Sequence, residues 1–279
     1  MESVVRTIYA SHIQTNKFLK NPQPFTILPN STLNQKFNVF PNEVNALNEI
    51  PSLGYIGIGN KGASYDIGAD NYILTKPTPH LPRHASLYNF IPFVAKPTDN
   101  DLAPADREKY RMRVISTISG KEYALYYLKK FDMTNVTCDV ELRNVNNGVI
   151  TTTPFTPQLS DLSPTPPVLN NINLNNPNGD YLVSTAKLTF TLNQDEINNI
   201  IDACVLLYND ERYAVINEIA LCTGIDRTLS GQFGNATAPY TEVVVAQVAA
   251  FISQYNALYR TTTSLTRVFD IGAVDPLLT

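Results

Sequence analysis

This chain has little charge. Asp, Glu, Lys and Arg make up 16% of its 279 residues, against roughly 25% in ordinary soluble domains. Lys and Arg cluster nowhere beyond the pair Lys129-Lys130, and the net charge is -4. Proteins that grip nucleic acid neutralise phosphates with a basic stripe, so specific nucleic-acid binding is not expected. Cysteine is scarce too: Cys138, Cys204 and Cys222 are widely spaced and form no C-x-x-C pair, which speaks against a zinc site. They read as buried reduced thiols, with one disulfide and a free thiol as the alternative. No apolar run approaches the roughly 18 residues of a membrane-spanning helix. The first residues, Met1-Glu2-Ser3-Val4-Val5-Arg6, lack the apolar stretch of a signal peptide. The expectation is a protein made and assembled in a cytoplasm, without a membrane partner.

What is present is apolar content of 43%, enough for one large core or two ordinary ones. Polarity comes from Asn, Thr, Ser and Gln rather than from ions, and about one residue in ten is Asn. Neutral polar groups cost less to bury than charges, so such a surface suits burial against a partner. Fifteen tyrosines read as core and interface residues, because each combines apolar area with a polar tip.

The sequence predicts an α+β, β-rich fold: antiparallel sheets and hairpins, one or two amphipathic helices in the C-terminal half, and extended Pro-rich arms. Residues 1–105 read as an extended, irregular N-terminal region, because Pro22, Pro24, Pro29, Pro41 and Pro51 recur too often for long helices. A short helix is expected from Asn42, with Val44, Leu47 and Ile50 on one side. Lys76 to Pro104 holds six prolines and suits edge strands and turns rather than a central strand. Residues 106–155 read as two antiparallel hairpins, turning at Ser119-Gly120 and Asn147-Gly148. Residues 156–179 form a Pro/Asn-rich connector, stiff and extended. Residues 180–279 read as an α+β domain. Its strand Tyr181 to Leu192 leads into Asn193-Gln194-Asp195-Glu196, a capping box. Ile197, Ile200, Ile201, Cys204 and Tyr208 then share one helical face. Tyr213 to Ile225 reads as a strand with Glu218 tolerated in it, and Gly224, Gly231 and Gly234 as the opening of a loop. Glu242 to Tyr259 fits a second helix, although Val243-Val244-Val245 leaves a strand open. Thr261 to Ile271 alternates like a strand.

Several motifs resemble chemistry without its context. Gly57-Ile58-Gly59-Asn60-Lys61-Gly62 matches G-x-G-x-x-G, but no helix-forming sequence follows it and no βαβ pattern surrounds it, as a dinucleotide site requires. It reads as a tight loop or bulge that glycine permits. His80 and His84 stand four apart, but Pro82 between them opposes the helix that would join their rings. With His12 as the only other histidine, they read as surface or interface hydrogen-bonding groups rather than metal ligands. Asp195 and Glu196 read as partners of a helix dipole. No nucleophile-elbow or P-loop motif occurs. No catalytic, cofactor-binding or metal-binding residue is assigned, and no cofactor is expected.

Five segments resemble structural proteins of tailed bacteriophage particles, especially contractile-tailed ones. They are Tyr55-Ile-Gly-Ile-Gly-Asn-Lys-Gly62, Tyr126-Tyr-Leu-Lys-Lys-Phe-Asp132, Ser163-Pro-Thr-Pro-Pro167, Tyr213-Ala-Val-Ile-Asn-Glu-Ile-Ala-Leu-Cys-Thr-Gly224 and Asp270-Ile-Gly-Ala273. The resemblance implies a place in the virion and no enzymatic residues. The expected role is therefore a non-enzymatic component of the tail, baseplate or neck. Its expected partners are further copies of itself and other virion proteins, in a symmetric ring or tier with heterologous interfaces. A fibre-attachment or carbohydrate-contacting module is the alternative, with Tyr123, Tyr126 and Tyr127 as its expected aromatic groove.

Overall fold

The computed structural model describes residues 3–19, 25–41, 46–67, 73–165, 180–233 and 236–277. Along the chain these form β1 (Ser3–Arg6), α1 (Ile8–Leu19), β2 (Phe25–Thr26), α2 (Leu33–Phe37), β3 (Ala46–Leu47), β4 (Ser52–Gly59), β5 (Ala63–Ile67) and β6 (Ile73–Pro77). There follow β7 (Phe90–Ile91), β8 (Val94–Pro97), α3 (Pro104–Arg107), β9 (Tyr110–Ile118), β10 (Lys121–Lys130), β11 (Cys138–Asn146) and β12 (Val149–Pro154). The chain closes with β13 (Tyr181–Asn193), α4 (Gln194–Tyr208), β14 (Val215–Phe233), β15 (Ala236–Ala257) and β16 (Ser264–Pro276). The protein is α+β and β-rich, with antiparallel sheets. Among the described residues no helix is long and apolar enough to cross a membrane.

Two compact units emerge, and neither follows the four segments expected from sequence. The first joins Met1–Phe131 to Leu192–Leu265; the second joins Asp132–Thr191 to Thr266–Thr279. The two expected hairpins both form, turning at Ser119-Gly120 (φ 50° and 80°) and Asn147-Gly148 (φ 48° and 79°). They belong to different sheets, so residues 106–155 are not one domain.

The first unit is built on an eight-stranded sheet in the order β1-β15-β14-β4-β10-β8, with β7 also on β4 and β9 also on β10. The N-terminal third is not irregular: its β1, β4, β7 and β8 belong to this sheet, while β2 with β3 and β5 with β6 form two separate two-stranded sheets. Its prolines bound the elements instead of interrupting them: α1 ends before Pro22, and Pro51 precedes the first residue of β4. β4 is a central strand, with β14 on one side and β10 and β7 on the other. The expected helix from Asn42 is not formed at Ala46–Leu47, which is strand β3; residues 42–45 lie outside the described residues, as do 166–179 of the connector. The described beginning of that connector, after β12, includes a 3-10 turn at Leu159–Leu162.

Helix α4 forms as its sequence signals. Asn193 and Glu196 exchange side-chain and backbone bonds in a capping box, and Asn209 closes the helix in the left-handed region at φ 56°. Ile197, Ile200, Ile201 and Cys204 are buried.

The second expected helix, from Glu242 to Tyr259, is strand β15. It lies between β1 and β14, and residues 243 to 248 are buried throughout. A strand covered on both faces reads as an apolar run that periodicity cannot separate from a helix. The β-branched Val243-Val244-Val245 favours the strand. Gly224 and Gly231 likewise lie inside β14 rather than opening a loop, and Gly234 is outside the described residues.

β15 carries one local departure. Val245 has φ 50°, an uncommon conformation for a β-branched residue. It lies within the register shift between Thr223 and Ile225, and a second shift, between Leu221 and Cys222, follows further along β15 at Ala249. Asn34 of α2 occupies this bulge. Its amide donates to the Val243 carbonyl at 2.9 Å, and its side-chain oxygen accepts the Ala246 N–H at 2.7 Å. Two backbone groups without ladder partners are thereby satisfied.

The second unit holds a four-stranded sheet in the order β12-β11-β13-β16. Gly272 of β16 stands so close to β13 that a β-carbon there would overlap the Ser184 carbonyl oxygen. Val183, Thr185 and Phe269 are buried, whereas Val140, Val149, Ile150, Val268 and Val274 are exposed. Every residue of the edge strand β12 is exposed.

Candidate functional site

The glycine motif and the histidine pair, distant in sequence, meet at one buried acid. Glu218 of β14 lies directly across from Gly59 of β4. A β-carbon on Gly59 would overlap the Asn89 carbonyl oxygen and stand 2.6 Å from Glu218 Oε1. One on Gly62 would stand 2.5 Å from both the Asn217 carbonyl oxygen and the Glu218 β-carbon. Gly57 faces the Phe90 ring in the same way. The three glycines thus allow close approach, as glycine does wherever backbone meets another group. What approaches is β14, the Asn89 carbonyl and the Phe90 ring, not a pyrophosphate.

Because Gly59 has no side chain, the Glu218 carboxylate passes over it to reach backbone donors. Oε1 accepts the N–H of Asn89 at 2.9 Å and of Lys61 at 3.2 Å; Oε2 accepts the N–H of Tyr88 at 2.9 Å. His80 Nε2 lies 3.0 Å from Oε2. Both side chains are fully buried. An isolated buried carboxylate is costly, and these four contacts offset that cost. Asn217, next along β14, adds two bonds to the same loop: its side-chain oxygen accepts the Gly62 N–H at 2.6 Å, and its amide donates to the Asn60 carbonyl at 3.1 Å.

The His80 ring is stacked between Tyr88 and Phe251, with centroids 4.1 and 3.9 Å away. It is therefore a core group, and its expected place at the surface is corrected. The two histidines do meet, without a helix: His80 Nδ1 is 3.3 Å from His84 Nδ1, and the Leu81 N–H also points to His84 Nδ1 at 3.2 Å. Burial, followed by His80 and Arg83, holds the His84 imidazole below its ordinary value. Among the described residues no group of three or more His, Cys, Asp or Glu is arranged to hold a metal ion.

Two further ionic clusters lie in the same unit. Asp226 accepts from the Tyr55 hydroxyl at 2.7 Å, Lys130 at 2.9 Å and Arg111 Nε at 3.2 Å. Burial pushes the Asp226 carboxyl up, but these donors outweigh it and the net shift is downward. Glu242 accepts from Arg107 at 2.9 Å and from the Arg113 N–H at 3.2 Å. Here burial prevails over both donors and pushes the carboxyl up to about 7. Arg107 also covers the Tyr240 ring, 3.8 Å from its centroid.

The remaining expectations divide. Cys204 and Cys222 are buried, but Cys138 is exposed, and none is in a disulfide. Burial pushes the Cys204 thiol up to about 12, which leaves no reactive thiolate there. Glu196 joins its dipole role to a 2.6 Å ion pair with Lys129. Tyr126 and Tyr127 do not line a groove: both are buried, Tyr126 donating to Asp101 at 2.8 Å and Tyr127 stacking on Phe37. Glu218 is the residue that motif reading passes over. Its signal is a lone acid within Ile216-Asn217-Glu218-Ile219-Ala220-Leu221, where a buried charge requires partners.

A family model described as "Family of unknown function (DUF7208)" matches residues 1–279. No curated protein matches the chain, and no solved structure does.

Proposed function

This chain belongs to the DUF7208 family over its whole length, and we propose that it is a non-enzymatic structural component of a bacteriophage particle, in the tail, baseplate or neck. It is made in the host cytoplasm and assembles with copies of itself as a ring or tier. The sequence resemblance to phage particle proteins motivates the class. The internal use of the ionisable groups supports it: Glu218, His80, Asp226 and Glu242 each bond to groups of the same fold.

The observation that carries the assembly role is the outer edge of β12, which among the described residues pairs with β11 alone. The two-residue turn at Asn147-Gly148 pairs Asn146 with Val149, Val145 with Ile150 and Arg143 with Thr152. In such a hairpin the backbone groups of Val149, Thr151 and Thr153 face the partner strand, while those of Ile150 and Thr152 face outward. The segment Val149-Ile-Thr-Thr-Thr-Pro154 has no charge and is rich in β-branched residues. Edges that must stay free are normally protected by charge, bulges or cover. Among the described residues only Pro154, at one end, offers protection. A neighbouring subunit adding to this edge satisfies the outward groups and covers Val149 and Ile150. The buried state of Tyr126 and Tyr127 leaves the carbohydrate-contacting reading without its expected groove.

Sedimentation velocity on the full chain tests this reading, with Thr152→Pro as the variant. That proline removes one outward N–H and none that faces β11. The expected result is an oligomer for the unmodified chain and a smaller species for the variant, with the same circular dichroism melt. A monomer in both cases contradicts it.

A further inference from the structure

We propose that His80, His84 and Glu218 form an acid-sensitive latch that fastens residues 78 to 89 to β4 and β14, and that opens when His84 takes up a proton. This device is independent of the assembly role above.

The hydrogen atoms of this cluster can be placed one by one. The Leu81 N–H is directed at His84 Nδ1, 3.2 Å away, so that nitrogen presents its lone pair. His80 Nδ1, 3.3 Å from the same atom, must then carry the hydrogen. The other His80 nitrogen faces Glu218 Oε2 at 3.0 Å, with one proton between them. Glu218 Oε1 and Oε2 have three backbone N–H donors besides. Every polar atom of the chain Leu81–His84–His80–Glu218 thus has one consistent role. That arrangement holds only while His84 Nδ1 is bare. A proton there would set an N–H against two other N–H groups.

The charged and titratable groups around His84 are few. On its own segment they are His80, Arg83 and Tyr88. From β14, Glu218 is bonded to His80, and the groups that shift His84 are His80 and Arg83. β15 contributes the apolar Phe251 to the stack on His80, and α1 contributes Tyr9, whose hydroxyl donates to the Arg83 carbonyl. None of these is an acid placed to stabilise an added proton on His84. His84 itself is half-buried, so solvent protons reach it, whereas His80 and Glu218 are sealed.

The release would act on a defined segment. Tyr88 and Asn89 give their N–H groups to Glu218, and the Thr78 N–H bonds to the Gly62 carbonyl at 2.8 Å. The Ile8 N–H at the start of α1 bonds to the Pro82 carbonyl at 2.9 Å. Opening the latch therefore loosens the contact between this segment, the 60–62 loop and the N-terminus of α1. His84 is shifted downward in the folded protein, so the latch is complete above the ordinary histidine value of about 6.5 and weakens as pH falls through the folded value.

Amide hydrogen exchange on the full chain, followed from about pH 7 to about pH 5 and corrected for intrinsic exchange, tests the latch. Protection of Leu81, Tyr88 and Asn89 should fall by up to about tenfold per pH unit between the ordinary histidine value of about 6.5 and the lower folded His84 value, the slope of one linked proton, and level off below the folded value. His84→Asn keeps an oxygen acceptor near the Nδ1 position and cannot be protonated, so its protection should be flat. Imidazole nitrogen chemical shifts of the unmodified chain give a second readout that does not depend on the variant folding. They should show His84 Nδ1 bare and His80 Nδ1 protonated at about pH 7. Flat protection in the unmodified chain, the same loss in His84→Asn, or the reverse assignment of the two Nδ1 atoms would overturn the latch.

Discussion

Gly59 and Glu218 are cross-strand partners in which one residue exists to make room for the other. The glycine lies opposite the acid in the β4–β14 ladder, and its missing side chain is the passage through which the carboxylate reaches the Lys61, Tyr88 and Asn89 amides.

Gly59→Ala should accordingly destabilise the fold by about 1–3 kcal/mol, the range for forcing extra atoms into a packed site. One of the atoms in the way is the Asn89 carbonyl oxygen, which cannot swing aside as a side-chain tip can. At Gly54 on the same strand, an added β-carbon would meet nothing within 4 Å, so Gly54→Ala should stay within about 0.5 kcal/mol of the parent. Urea denaturation of both variants checks the pair. Equal stabilities would show that the approach at Gly59 is not what selects glycine.

Asn34→Ala should cost about 2–4 kcal/mol. It leaves the Ala246 N–H and the Val243 carbonyl without their partner inside the bulge, and each unsatisfied buried group costs roughly 1–3 kcal/mol, with partial relaxation. Asn34→Asp retains the acceptor for Ala246 but not the donor for Val243, and should not restore stability. Thermal or urea unfolding of the two variants measures this.

Glu242 gives a pH dependence with a definite sign. Its carboxyl is pushed up from 4.5 to about 7 in the folded protein, mainly by burial. The folded state therefore holds the proton more tightly than the unfolded state. The resulting contribution is full below about 4.5 and is lost as pH rises through about 7. Glu242→Gln cannot ionise, so its stability relative to the parent should improve from about pH 5 to about pH 8, by up to about 3 kcal/mol. Chemical denaturation at a series of pH values checks it; a constant difference would show that Glu242 stays ionised beside Arg107.

The parts of the fold that are legible in the sequence are those with local chemistry. The turns at Ser119-Gly120 and Asn147-Gly148, the capping box of α4 and its buried face depend on residues a few positions apart, and all appear where expected. β15 is legible only as apolar, because its conformation is decided by β1 and β14 lying on either side of it. The N-terminal prolines mislead for a related reason: proline density says where elements stop, and not whether a long-range ladder holds what lies between. At the site, the glycines and histidines are visible as motifs, but their meaning is not. Gly59 is explained by Glu218, about 160 residues away in sequence and adjacent only through the β4–β14 pairing. No local pattern could link them.

The proposal that this chain is a part of a phage particle is tested most directly by quantitative mass spectrometry of purified, nuclease-treated particles of a phage whose genome carries its gene. The chain should be found at a fixed ratio to the other particle proteins, at a copy number that a closed ring or tier can supply. Its absence from the particles, while it is abundant in the lysate of infected cells, would rule out a place in the particle.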